Sequence, residues 1–145
     1  TSRVNIAGSV LNTLDGLVQD YSSRVKTIRV DSVAREIIED FYSPHKDKDF
    51  YGRMIDYFEN QSVVLAIYEV EKEVIKKFRD VIGNTNPAKA VVGTIRYIFS
   101  RDSLDKAISE NRPVENVIHC SDSVEEARRE INVWKEYLDD ITKII

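Results

Sequence analysis

The chain has 145 residues, the length of one domain with a proper core, and its 42% apolar and 32% charged residues are those of a soluble globular protein. A net charge of −4 without a Lys/Arg-rich run gives no sign of recognition of nucleic acid or membrane by bulk electrostatics. One cysteine, Cys120, excludes an intrachain disulfide and suits a reducing compartment; no apolar run reaches membrane-spanning length and no signal pattern opens the chain, so the cytoplasm is the expected location.

From Val4 to about Gln19 the residues Ile6, Val10, Leu11, Leu14, Leu17 and Val18 form a helical stripe. Val25 to Val30 alternates and predicts a strand. Asp31 or Ser32 can cap a helix through Tyr42, with Val33, Ile37, Ile38 and Phe41 on its inner side. A polar turn from Ser43 to Lys48 carries His45, which reads as solvated. Phe50, Met54, Ile55 and Phe58 then give a short helical face. Val63 to Tyr68, the most apolar run, predicts a strand covered on both faces. Helical period returns from Glu71 to Val81, and Gly83 ends it. Asn84 to Tyr97 is predicted to be largely loop, with a short helical turn at Pro87 to Ala90, and Ser100 to Asn111 is a mildly helical excursion. Val114 to Ile118 predicts a third strand, and a helix follows to about Trp134. The tail from Lys135 keeps helical residues in Tyr137, Leu138, Ile141, Ile144 and Ile145. This order suits an α/β sandwich whose helices cover one mainly antiparallel sheet.

The chemistry concentrates in Asn116-Val117-Ile118-His119-Cys120-Ser121-Asp122-Ser123. His119 stands where the predicted strand runs out. Ser123-Val124-Glu125-Glu126 has the spacing of a capping box, so a helix starts directly behind it. Backbone N–H groups at such a helix start favour an anion such as phosphate. Glu126 and Glu130 lie one turn apart on that helix, and a carboxylate there could orient the imidazole. On spacing alone, a structural histidine beside an ordinary capped helix is the commoner outcome.

The run NVIHCSDS with Glu130 resembles the active-site segment of nucleoside diphosphate kinases, N-x-x-H-G/A-S-D-S followed by a glutamate on the helix. Upstream, Asn86-Pro87-Ala88-Lys89-Ala90 and Gly93-Thr94-Ile95-Arg96 look like the family's N-P-x-x-A and G-T-I-R segments, and similarity runs from about Gly8 to Trp134. The resemblance implies an α+β ferredoxin-like sandwich with a mainly antiparallel four-stranded sheet, all in a single domain. The family opens with a strand ending in K-P-D, which the chain lacks ahead of its first helix. Residues before Thr1 are therefore expected in the natural protein.

The resemblance also implies a reaction: the γ-phosphate of a nucleoside triphosphate moves to a histidine and then to a nucleoside diphosphate, with Mg²⁺ held mainly by the nucleotide phosphates. His119 is then the nucleophile, Glu130 orients it, and Ser121 hydrogen-bonds that glutamate. Arg79 and Arg96 match the phosphate-contacting arginines, and Thr85 a phosphate-binding threonine. Tyr42 matches a tyrosine beside the histidine, Phe50 the ring that stacks on the base, Met54 its apolar neighbour, and Asn116 the contact to the sugar hydroxyl. Each also has a plain structural reading: Arg79 a surface charge, Thr85 a turn residue, Tyr42 a helix end, Phe50 and Met54 helix-face core, Asn116 a polar strand edge. Cys120 takes the place of the usual glycine or alanine, either as an oxidation-sensitive thiol or as an inert small side chain. Tyr97-Ile98 replaces the usual Gly-Asp, a longer run separates Arg96 from Asn116, and Glu115 stands where arginine is common. Family likeness implies a homo-oligomer, hexamer or tetramer. The alternative is a weakly active or inactive relative that binds nucleotide or a protein partner.

Overall fold

The computed structural model describes residues 6–142. The expected helix start at Val4, and Ile144 and Ile145 of the tail, lie outside the described residues. Helix α1 (Ala7–Val18) buries Val10, Leu11, Leu14 and Val18 along one stripe and leaves Leu17 exposed. Strand β1 (Ser22–Val30) pairs antiparallel with β2 (Val63–Val70), in a register running from Ser22 opposite Val70 to Val30 opposite Val63. The ladder slips between Arg24 and Lys26, where Val25 bulges into solvent.

Helix α2 (Arg35–Phe41) begins later than the candidate caps Asp31 and Ser32. The reason is Val33: its side chain is fully buried, and its N–H and C=O bond Gln61 O and Asn60 N, which holds that backbone outside the helix. A 3₁₀ turn (Ser43–His45) leads to α3 (Tyr51–Phe58). After β2, a second 3₁₀ turn (Lys72–Val74) precedes α4 (Ile75–Ile82), which ends at Gly83. Gly83 has φ 102°, and a Cβ there would stand 2.6 Å from Thr94 Oγ1, so only glycine fits. The predicted turn at Pro87 is a 3₁₀ turn (Pro87–Lys89), as expected. The loop predicted as far as Tyr97 instead contains helix α5 (Ile95–Phe99), started by Thr94, whose hydroxyl accepts from Tyr97 N–H. Helices α6 (Leu104–Ser109), α7 (Val124–Val133) and α8 (Lys135–Thr142) complete the described chain.

Alternation along β2 splits the core. Val63, Leu65 and Ile67 pack with Val30, Val33, Ile38, Ile55, Val133, Trp134 and Leu138. Tyr68 and Val70 point the other way, toward Val10, Leu14, Val18, Phe78, Ile82 and Ile95. The result is an α+β sandwich with helices on both faces of one antiparallel sheet. Among the described residues that sheet has two strands, not four. The run Val114 to Ile118 is not the predicted strand: Val117 has φ 76°, and Ile118 N–H bonds Asn116 O two residues back. A ladder needs a neighbouring edge, and this run has its carbonyls taken by a side chain instead. Between it and β2 runs an open trough of about 1400 Å³, so β2 is half-buried rather than covered on both faces.

Candidate active site

Helix α7 supports the site. Ser123 Oγ accepts from Glu126 N–H at 3.0 Å and starts the helix where the spacing predicts it. The Glu126 carboxylate turns to Arg129, at 2.7 Å. Two turns into α7, Glu130 reaches His119, its Oε1 and Oε2 lying 2.9 and 3.2 Å from Nε2. Ser121 Oγ donates to Oε2 at 2.7 Å. The side chain of His119 is 46% exposed while that of Glu130 is 9% exposed, so a sheltered carboxylate braces a histidine open to ligand.

Burial pushes the Glu130 pKa up, but the hydrogen bonds from His119 and Ser121 and the charges of His119 and Arg129 outweigh it, and the net shift is downward. An ionised carboxylate only accepts, so Nε2 carries a proton in this contact, and in the neutral ring Nδ1 then keeps the free lone pair. The ring is walled by Phe41, 5.0 Å away edge-to-face, and by Tyr42 at 6.3 Å. Burial, with help from Glu130, drives the Tyr42 phenol well above its ordinary range, so it remains protonated. Burial raises the Cys120 thiol to about 11, which favours the inert over the oxidation-sensitive reading.

Arg96 lies beneath this segment with only 8% exposure. Its Nε donates to Asn116 O, Nη1 to Gly83 O and Nη2 to Ile118 O. Burial lowers its pKa, with nearby Arg79 adding to the effect. Arg79, on α4, pairs with Asp122 at 2.7 Å, and both side chains are exposed. Asn116 Nδ2 donates to Thr85 O at 3.2 Å, which ties the loop after α4 to the histidine segment. His119, Glu130, Ser121, Tyr42, Arg79, Arg96, Asn116 and Thr85 thus form one connected region. Phe50 and Met54 lie at the start of α3 without a hydrogen bond or ring contact to that region; Phe50 instead meets His45, centroids 5.7 Å apart, and His45 is exposed, as expected. The longer run before Asn116 is fastened by Arg112, which grips both oxygens of Asp102 at 2.6 and 2.9 Å. Residues that sequence reasoning did not single out are Phe41, Arg129 and Asp122. Phe41 carried only a core signal, whereas Asp122 lay inside the motif and Arg129 beside Glu130.

This fold and site define an α+β protein whose exposed histidine, just ahead of a helix, is backed by a buried carboxylate two turns into that helix. The sequence pattern of the family described as "Nucleoside diphosphate kinase" matches residues 5–137. The chain belongs to the nucleoside diphosphate kinase family, an enzyme family of phosphotransferases whose members act on nucleotides and use a divalent metal ion. It is 33% identical over 130 residues to a nucleoside diphosphate kinase of Clostridium perfringens, covering 90% of this chain and 80% of that one. With a counterpart from Erythrobacter litoralis it shares 37% over 132 residues, covering 90% and 82%. The nucleoside-diphosphate kinase of Borrelia burgdorferi, solved as a transition-state mimic with vanadate and ADP, superposes with a TM-score of 0.76 at 25% identity, covering 92% of this chain and 79% of that one. The fold class is accordingly the ferredoxin type expected.

Proposed function

We propose that this single-domain chain transfers the γ-phosphate of a nucleoside triphosphate to a nucleoside diphosphate through a phosphohistidine on His119. The observation that carries the reading is the Glu130 carboxylate on Nε2 at 2.9 Å, which leaves Nδ1 as the nucleophile on an exposed ring. Nδ1 bonds to the γ-phosphorus as the bond to the β,γ-bridging oxygen breaks, and the nucleoside diphosphate leaves with that electron pair. The Nε2 proton stays shared with Glu130, which stabilises the charge gained by the ring. A second diphosphate then attacks with a terminal oxygen, breaks the N–P bond and restores the neutral ring.

Arg79 supplies an always-charged fork for the phosphates, and Thr85 lies in the loop joined to Asn116, the sugar contact. Arg96 adds its charge from beneath; a direct phosphate contact requires it to release the Asn116 and Ile118 carbonyls. Tyr42 remains a protonated donor at the ring. Phe50, partly exposed at the start of α3, and Met54 one turn on offer a stacking platform that tolerates any base. Among the described residues no group of three or more His, Cys, Asp or Glu converges on one position. Mg²⁺ enters as part of the nucleotide substrate, where it neutralises phosphate charge.

The net charge of −4 argues against polyanionic nucleic acid or an anionic membrane as partner. No described helix is long and apolar enough to cross a membrane. The free, half-buried thiol of Cys120 suits the cytoplasm. Exposed Val91, Val92, Ile98 and Ile108 suit assembly into a homo-oligomer, hexamer or tetramer. Incubation with ATP radiolabelled on the γ-phosphate tests the reaction: label stable to base and lost in acid is expected on the wild type and absent from His119→Ala. A wild-type chain that takes no label under these conditions would refute it.

A further inference from the structure

We propose that Arg129 is a positioning residue for His119, acting through the end of α2, and the proposal rests on the phosphohistidine reading of the site. Arg129 directly precedes Glu130 on α7, so the two side chains leave the helix on different sides. Its Nη1 donates to Asp40 O at 3.1 Å and Nη2 to Phe41 O at 2.8 Å. These carbonyls belong to the last turn of α2, beyond the reach of the regular helix ladder, although Asp40 O also receives the Tyr42 N–H. A cation there also meets the negative end of the helix dipole. The guanidinium is aimed by Glu126, whose Oε1 accepts from Nε and Nη2 at 2.9 and 2.7 Å.

What that end of α2 carries is the wall of the site. Phe41 stands edge-to-face to the imidazole at 5.0 Å, and Tyr42, the residue that closes α2, stands at 6.3 Å. Phe41 also meets Trp134, which closes α7, at 5.8 Å. One helix therefore holds the nucleophile from two directions. Glu130 fixes the Nε2 end by a hydrogen bond, and Arg129 fixes the plane of the ring by holding the aromatic wall. A second arginine, Arg35, also fastens α2, but through surface ion pairs to Glu39 on the same helix and to Asp56 and Glu59 on and just after α3. If Arg129 acted only on stability, loss of either arginine would have the same kind of effect.

The test compares full-length wild type, Arg129→Met, Arg129→Lys, Phe41→Leu and Arg35→Met. The His119 ring-nitrogen ¹⁵N shifts are read at one fixed pH, alongside steady-state kinetics with ADP and a nucleoside triphosphate. Wild type should show a single Nε2–H tautomer. Arg129→Met should show mixed tautomers and lose about tenfold in kcat at unchanged KM, the signature of a displaced reacting group. Arg129→Lys should recover part of that loss, since it keeps the charge but not the fork. Phe41→Leu, which leaves Arg129 in place, should reproduce the tautomer change, whereas Arg35→Met should leave the shifts and kcat at wild-type values. Wild-type shifts and kcat in Arg129→Met or in Phe41→Leu would overturn the positioning role, whatever happens to the melting temperature. If the wild type itself takes no phosphate, the proposed function falls, and the ring-nitrogen shifts alone then decide the role of Arg129.

Discussion

The guanidinium of Arg96 grips the backbone on both sides of Val117, Nε donating to the Asn116 carbonyl at 3.2 Å and Nη2 to that of Ile118 at 2.6 Å. Val117 sits between them at φ 76°, a conformation that a β-branched residue adopts only under constraint. Strain of this kind is worth about 1–3 kcal/mol and persists only where surroundings over-determine it. Val117→Gly is expected to raise stability by about 1 kcal/mol, because glycine takes the same φ freely. Arg96→Met should release the turn and cost about 100-fold in kcat/KM through displacement of His119 two residues on. Urea unfolding of the first variant and steady-state kinetics of the second check the pair of expectations.

The downward pKa shift of Glu130 has a definite sign in stability. A carboxylate whose folded pKa lies below its unfolded value contributes fully above the unfolded value, about 4.3 for glutamate, and loses that contribution as pH falls through the folded one. Glu130→Gln removes this acid-side loss. At neutral pH it should cost about 1–3 kcal/mol, since it replaces a buried, doubly hydrogen-bonded carboxylate. It should also slow phosphohistidine formation about 100-fold by weakening the hold on the Nε2 proton. Chemical unfolding at pH 7 and pH 4, with rapid-quench labelling, separates the two effects.

Arg79 and Asp122 predict the opposite profile. Their ion pair is solvent-exposed and worth about 0–1 kcal/mol, so Arg79→Ala should leave the melting temperature nearly unchanged. It should raise KM for nucleotide about tenfold by removing a charged phosphate donor. Asp122→Asn frees Arg79 from its partner and should lower KM modestly, an effect that shrinks as salt is added. Titration of both variants with ADP at low and high ionic strength reads this out.

Asp102 is held well below the usual carboxylate range, chiefly by hydrogen bonds from Arg112 and secondarily by the backbone N–H groups of Glu115 and Ser103. Its contribution is complete above the ordinary aspartate value and fades on acidification below about pH 4. Asp102→Asn should therefore lower the melting temperature at pH 7 by a few degrees, with the gap from wild type closing toward pH 3. Differential scanning calorimetry across that range would contradict the expectation if the gap stayed constant.

The parts of the site that were legible in the chain are those whose partners lie within a few helical turns. Ser123 caps Glu126, and Glu130 faces back to His119 and Ser121, because the capped helix start sets the short segment before it against the helix's own face. The helix at Ile95 was hidden because its start signal, the Thr94 hydroxyl, sits amid loop residues with little apolar period. Val114 to Ile118 looked like a strand because strand propensity describes a side-chain pattern, whereas a ladder needs a partner that local pattern does not specify. In this fold Arg96, twenty positions upstream of Asn116, takes the carbonyls that a neighbouring strand would have used. Arg129 and Phe41 act together across 88 positions, a distance at which no periodicity speaks.

The two apolar clusters on opposite faces of the sheet divide the His119–Glu130 pair between them. Ile118 and Cys120, which flank His119, pack on the cluster built from α1, α4 and α5, whereas α7 brings Glu130 in with Val133 and Trp134 on the other. The 2.9 Å contact between imidazole and carboxylate is thus a joint between two half-bodies, sensitive to any slip of one against the other. Heating should silence the enzyme before it melts: turnover and the His119 ring signals should fade several degrees below the loss of helical circular dichroism.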